Sequence, residues 1–173
     1  MNIAERHDHE FPPLIFPDSE ILILGSFPSV ASRAQKFFYG YPMNRFWGML
    51  AAVYQEDKPN SIEEKTAFCK KHHLALYDVI ESCTIVGSSD SSIKDIVFAD
   101  IFGLCQQAGI KKILLNGKTA GKTFQKYLAA LDNPSGFLEF VVLPSTSPAN
   151  AACSMDKLVE AWRAVLIDFA TFK

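Results

Sequence analysis

Four short apolar runs punctuate the chain, each bounded by turn-forming residues. EILILGS (20–26), LALYDVI (74–80), KKILLN (111–116) and FLEFVVLP (137–144) are nearly continuous in Val, Ile, Leu and aromatic residues, the pattern of strands buried on both faces. Between them the period changes. Asn44–Tyr54 places Phe46, Trp47, Leu50, Val53 and Tyr54 on one helical face, as a 3.6-residue repeat requires. Ser61 followed by Glu64 is a capping box that opens a helix running to Lys71. Ser92 with Asp95 opens a predicted helix to about Ala108; Lys118–Leu131 forms the next, and about Met155–Phe169 the last, burying Leu158, Trp162, Val165, Leu166 and Phe169. ESCTIVGSSDSS (81–92) is expected to be a polar loop, and residues 1–19, with Pro12, Pro13 and Pro17, an irregular arm. Residues 27–43 lack a clean period but hold Phe27, Phe37, Phe38, Tyr39 and Tyr41. Long ordered loops of this kind often carry function.

Strands alternating with helices predict a parallel sheet with right-handed crossovers. The expected fold is therefore α/β, a single domain over 1–173 with a central four-stranded parallel sheet in a three-layer α/β/α arrangement. Ligands of such sheets bind beyond the carboxyl ends of the strands. Here those ends are 25–29, 78–90, 116–118 and 144–150.

Composition narrows the class. With 49% hydrophobic residues, 17 Lys and Arg against 19 Asp and Glu, and a net charge of −2, disorder is excluded. No run approaches the roughly 20 apolar residues of a membrane span. The charged opening MNIAERHDHEF lacks the apolar core of a secretory signal, so a cytoplasmic protein is expected, or a nuclear one in a eukaryote. Near-neutral charge argues against a nonspecific polyanion binder but is compatible with a DNA enzyme making few phosphate contacts. The basic residues around Arg33, Lys36 and Arg45, and those from Lys111 to Lys126, read first as solvated faces. Cys69, Cys83, Cys105 and Cys153 form no C-x-x-C pair, and His7, His9, His72 and His73 no ligand spacing. Neither a metal nor a cofactor is therefore expected. Cys105 reads as a buried thiol, and the histidines as surface or cap residues.

Two motifs fall short. Gly117-Lys-Thr-Ala-Gly-Lys-Thr123 follows a strand and opens a helix, but it is one residue shorter than the phosphate-binding G-x-x-x-x-G-K-[ST] loop, and loop length decides whether successive N–H groups can wrap a phosphate. A nucleotide-binding protein is the alternative this motif leaves open. Gly25-Ser26 does not complete the G-x-S-x-G of a serine hydrolase.

A third constellation joins the two ends of the chain: Leu24-Gly-Ser-Phe-Pro-Ser29, Tyr39-Gly-Tyr-Pro-Met-Asn-Arg-Phe-Trp47, Asp78-Val-Ile80 with Gly87-Ser-Ser-Asp90, and Leu143-Pro-Ser-Thr-Ser-Pro-Ala149. In this order, over about residues 20–165, the sequence resembles the uracil-DNA glycosylase superfamily. Within it the N-R-F-W stretch is similar to mismatch-specific thymine/uracil glycosylases, and the set as a whole is most similar to the hypoxanthine-DNA (deoxyinosine) glycosylases. The resemblance implies a monofunctional, cofactor-free enzyme that hydrolyses the N-glycosidic bond of deaminated bases in DNA, hypoxanthine first and uracil second, and acts as a monomer. An inactive DNA-binding relative is its other possible outcome.

The resemblance also distributes roles. Tyr39 would stack on the extruded base, Asn116 would read its edge, and Phe27 would line the base site. Many relatives carry a water-directing Asn or Asp where Phe27 stands, and the resemblance moves that catalytic role to Asn44, expected to act through its carbonyl oxygen; Asn44 also suits a helix N-cap. Tyr41 replaces a common His. Ser26, Ser145, Thr146, Ser147, Pro148, Ala149 and Lys118 are implied to contact DNA, with Ala149 a small residue at the wedge position. With no lysine of these motifs at a strand end except Lys118, no Schiff-base lyase step is expected.

Overall fold

The computed structural model describes residues 3–132 and 139–167. The first two positions of the predicted fourth strand, 137 and 138, and the predicted end of the last helix at 168 and 169 lie outside them. Among the described residues thirteen strands and α-helices follow one another: β1 (Glu5–Asp8), β2 (Ile21–Gly25), α1 (Val30–Gln35), α2 (Phe46–Tyr54), α3 (Ile62–Lys71), β3 (Leu74–Asp78), β4 (Ile80–Ile85), β5 (Lys94–Phe98), α4 (Ile101–Ala108), β6 (Lys112–Asn116), α5 (Lys118–Ala129), β7 (Glu139–Leu143) and α6 (Met155–Leu166).

The central sheet is parallel, in the order β3-β2-β6-β7, flanked by helices as the α/β pattern predicts. Its two inner strands are the most apolar: Leu22, Ile23, Leu24, Ile113, Leu114 and Leu115 are fully buried. Because side chains of a strand alternate between faces, a continuous apolar run means that both faces are covered. The register aligns Gly25 with Asp78 and Asn116 with Leu143. The four strand tips therefore reach one edge together, where the site lies.

Three predicted boundaries change. Residues 94–98 form β5 rather than the first half of a helix. Ile96 and Phe98 are half-buried while Asp95 and Val97 are exposed, a period of two, and Ile93 and Ile96 pack on Phe27, Ile80, Cys83 and Ile85. The helix starts at Ile101, capped by Asp100, whose carboxylate accepts from the Gly103 N–H. The 81–92 loop begins as strand β4, which pairs antiparallel with β5 and with β1. The N-terminal arm is thus built into a second, three-stranded sheet, and Leu14 bridges to Leu76. Within 27–43, Ser29 caps the short α1 by accepting from Ser32 N–H. Propensity did not forecast these pairings because each depends on a partner distant in sequence.

The last helix, α6, packs on α2. Trp162 is fully buried, lies edge-on to Phe46 at 6.2 Å between centroids, and donates from Nε1 to the Pro144 carbonyl at 3.0 Å. One side chain thereby fixes α6, α2 and the start of the loop after β7.

Candidate active site

The strand tips and their loops enclose a cavity of about 640 Å³, the size range of small-molecule sites. Asn44, Asn116, Tyr39, Phe27, Ser26 and the 145–149 loop all line it, so residues more than 100 positions apart in the sequence share one space.

Thr146 is the hub. It is fully buried. Its backbone N–H donates to Asn116 Oδ1 at 3.0 Å, its Oγ1 accepts from Asn116 Nδ2 at 3.0 Å, and the hydroxyl hydrogen goes to Asn44 Oδ1 at 2.8 Å. A backbone N–H only donates, so Asn116 must turn its oxygen to it, and the polarity of the carboxamide is set. One lone pair on Oδ1 and one hydrogen on Nδ2 remain, pointing away from each other. Asn44 Oδ1 also accepts from the Phe46 N–H at 3.0 Å, the capping role foreseen for it, although the helix proper begins at Phe46. Both lone pairs of that oxygen, through which Asn44 was expected to act, are thereby engaged in this arrangement. What Asn44 retains is Nδ2, with no partner among the described residues.

Arg45 clamps the same loop. Its guanidinium donates to the carbonyls of Cys153 (2.6 Å), Ser147 (3.3 Å) and Asn150 (3.2 Å), while the Arg45 N–H donates to Thr146 O at 3.0 Å. A lysine has no planar fork to span three carbonyls. Arg45→Lys is expected to lower stability by about 1.5–3 kcal/mol, read as a lower urea midpoint, and to speed amide exchange in 145–153; an unchanged midpoint and exchange rate would remove Arg45 from this role.

Tyr39 holds a left-handed backbone (φ 54°), a conformation that non-glycine residues keep only when their surroundings impose it. Its ring stacks on Phe46 at 3.9 Å and 25°, leaving the opposite face without an aromatic partner among the described residues. The hydroxyl is buried and has no hydrogen-bond partner among the described residues. Burial, and then the nearby Asp78, raise its pKa well above the usual phenol value, with Asn116 pulling the other way.

Phe27 is less available than expected. It lines the cavity, yet it is 9% exposed, packs with Ile80, Cys83 and Ile85, and carries the Arg33 guanidinium 5.6 Å above its ring. Ser26 is engaged too, donating to Asp90 Oδ1 at 3.4 Å. Burial raises the Asp90 pKa, opposed by the Ser26 and Thr119 hydroxyls and reinforced by Asp78. In the 145–149 loop Ser145 Oγ accepts from Ser147 N–H, and Ser147 Oγ from Ala149 N–H, so two backbone amides of the loop implied to contact DNA are already bonded. Pro148 and Ala149 line the mouth. Lys118 opens α5 and, with Lys157, lines an adjoining groove of about 730 Å³.

The phosphate-loop alternative fails on geometry. The helix begins at Lys118, directly after Gly117, so Gly121 lies inside it and no loop remains to wrap a phosphate. Gly117 N–H instead donates to Leu143 O at 2.9 Å, and with φ 102° it sits where a Cβ would come within 2.9 Å of Ser145 Cβ.

Two functional candidates escaped the sequence reading. His9 is not a surface residue: its side chain is fully buried, with Nε2 2.7 Å from Asp78 Oδ2 and Nδ1 2.9 Å from Phe11 O. Asp78, 5% exposed, lines the cavity at the tip of β3. The D-V-I motif pointed to Asp78, but a histidine in an apparently irregular arm carried no sign of its partner. Lys112, likewise read as solvated, is buried near Glu139, whereas Cys69, Cys83 and Cys105 are buried free thiols. Among the described residues no helix is long and apolar enough to cross a membrane, and no group of three metal-ligating side chains occurs.

The parallel α/β sheet, with two carboxamides and an aromatic at its tips in one cavity, places these side chains where the sequence motifs led them to be sought. The pattern of the uracil DNA glycosylase superfamily matches residues 12–166, and the chain belongs to that superfamily. It is 35% identical over 157 residues to a protein of Methanosarcina acetivorans named hypoxanthine DNA glycosylase, covering 90% of this chain and 95% of that one. A protein of the same name from Methanosarcina barkeri is 34% identical over 142 residues, 81% of this chain and 86% of that one. A solution NMR structure from Methanosarcina acetivorans, described as that of a candidate uracil DNA glycosylase, superposes with a TM-score of 0.75 at 33% identity, covering 90% of this chain and 94% of the other.

Proposed function

We propose that the protein is a monomeric, monofunctional glycosylase that releases hypoxanthine, and more slowly uracil, from DNA and leaves an abasic site. The observation that carries this reading is the hydrogen-bonded line Asn116–Thr146–Asn44 along one wall of the cavity. A glycosylase must extrude its target, since the N-glycosidic bond is unreachable within the stack. Once inside, the base meets a carboxamide of set polarity. Hypoxanthine offers N1–H beside O6, and uracil N3–H beside O4; Thr146 takes the edge of Asn116 on which Oδ1 and Nδ2 lie side by side, so the base meets the remaining lone pair of Oδ1, which accepts N1–H or N3–H. Adenine offers the opposite order. Turning the amide to suit it would set Nδ2 against the Thr146 N–H and strand a buried donor, the kind of mismatch that discriminates strongly.

Tyr39 offers its free face for stacking, worth about 1–3 kcal/mol per base, which holds a base without choosing it. As the bond to C1′ breaks, negative charge grows on the leaving base. Asn44 Nδ2 is a donor whose orientation is set by the two bonds on its oxygen, and such preorganised donors act on developing charge. The serines of 145–147 and Lys118 supply contacts for the flanking phosphates, which position but do not specify.

The test uses duplexes carrying a single hypoxanthine or uracil. Free base should appear in the supernatant, the strand should break only after alkali, and borohydride should trap no covalent protein–DNA adduct. Absence of released base, or a trapped adduct, would contradict the proposal.

A further inference from the structure

We propose that Asp78, backed by His9, holds the attacking water and accepts its proton; this rests on the glycosylase reading above. Phe27 stands where a water-directing group was sought, so the chain needs another. Asp78 reaches the cavity from the tip of β3, level with Gly25. Its two oxygens have different surroundings. Oδ2 faces His9 Nε2 at 2.7 Å. His9 Nδ1 lies against a carbonyl, Phe11 O, at 2.9 Å; a carbonyl only accepts, so Nδ1 carries a hydrogen. A bare Nε2 lone pair cannot rest against a carboxylate at that distance, so a proton lies between Nε2 and Oδ2 and the pair is neutral overall. That satisfies the rule that buried charges are paired. The ring is held between Phe11 and Tyr77, 4.5 and 4.3 Å away between centroids. His9 lies ahead of residues 12–166 matched by the superfamily pattern.

Oδ1 is different: it has no hydrogen-bond partner among the described residues. Neither has the buried hydroxyl of Tyr39. Both lie against Gly25, where a Cβ would stand 2.5 Å from Oδ1 and 3.5 Å from the Tyr39 oxygen, and both residues line the cavity. A donor and an acceptor thus sit near each other on its wall. A water fits their chemistry, accepting from the Tyr39 O–H and donating to Oδ1, with polar partners enough to be held.

The step balances with water alone. The water oxygen bonds to C1′, the C1′–N bond breaks, and its electron pair leaves on the base. The water proton passes to Oδ1 while the proton shared with His9 resides on Nε2. Afterwards the released base takes a proton from solvent and Asp78 returns one to it.

Single-turnover excision from a hypoxanthine duplex is the test. Positioned general bases contribute roughly 10²–10⁴-fold. Asp78→Asn is expected to slow release about 100-fold, with affinity for a non-hydrolysable duplex within about threefold of wild type. His9→Gln, which leaves the carboxylate without its cation, should slow it about tenfold. Formate should partly restore Asp78→Ala, a response that lost packing alone does not give. Rates within threefold of wild type in both Asp78→Asn and His9→Gln would overturn the inference and leave the glycosylase reading standing. Slow Asp78 variants that bind duplex but do not respond to formate would also overturn it. No release by the wild-type protein would overturn both.

Discussion

Asn44→Ala is expected to slow hypoxanthine release about 10²–10³-fold, the usual cost of losing one donor aimed at developing charge, while duplex binding survives. Asn44 has two jobs, and substitution can separate them. Its oxygen caps α2 at the Phe46 N–H and receives the Thr146 hydroxyl; its nitrogen has no partner among the described residues. Alanine removes both, so it should also cost about 1 kcal/mol of stability as a lost cap. Asn44→Asp keeps an oxygen for each donor but replaces the amide with a second acceptor. It is expected to be as slow as alanine while unfolding at nearly the wild-type urea concentration. An aspartate variant that keeps full activity would return the chemistry to the carbonyl oxygen.

The largest loss of stability is expected from Trp162→Ala, at about 3–5 kcal/mol. A domain of this kind has roughly 5–15 kcal/mol in total, so urea unfolding should move far toward zero denaturant. The size follows from position. Trp162 is fully buried, meets Phe46 edge-on, and satisfies the Pro144 carbonyl. Its loss opens a cavity between α6 and α2 and strands a backbone acceptor next to Ser145. Trp162→Phe keeps the ring and loses the N–H, and should cost nearer 1 kcal/mol. Equal midpoints for the alanine variant and wild type would show that α6 does not anchor the domain.

The sheet was legible because it is made of local signals: each central strand is an unbroken apolar run, and such runs need cover on both faces. Asn116 and Thr146 stood out because strand tips in a parallel sheet are where ligands sit. What stayed hidden was set by partners far along the chain. β5 looked helical until Ile93 and Ile96 had Phe27, Ile80, Cys83 and Ile85 to pack on. The arm looked irregular until β4 offered it an edge. The direction of the Asn116 amide, and the spent oxygen of Asn44, follow from a single threonine 30 and 102 positions away, and no pattern of residue types records which atom a hydroxyl will choose. The same holds for His9, buried against a carboxylate 69 positions on.

The most direct measurement is a crystal structure bound to a duplex containing 2′-fluoro-deoxyinosine, whose electron-poor sugar resists bond cleavage. The account predicts hypoxanthine outside the helix and within the cavity, its N1–H on Asn116 Oδ1, and Asn44 Nδ2 within hydrogen-bond reach of the base. A base that stays stacked in the duplex, or lies in the groove beside Lys118 and Lys157 with Asn44 and Asn116 untouched, would contradict it.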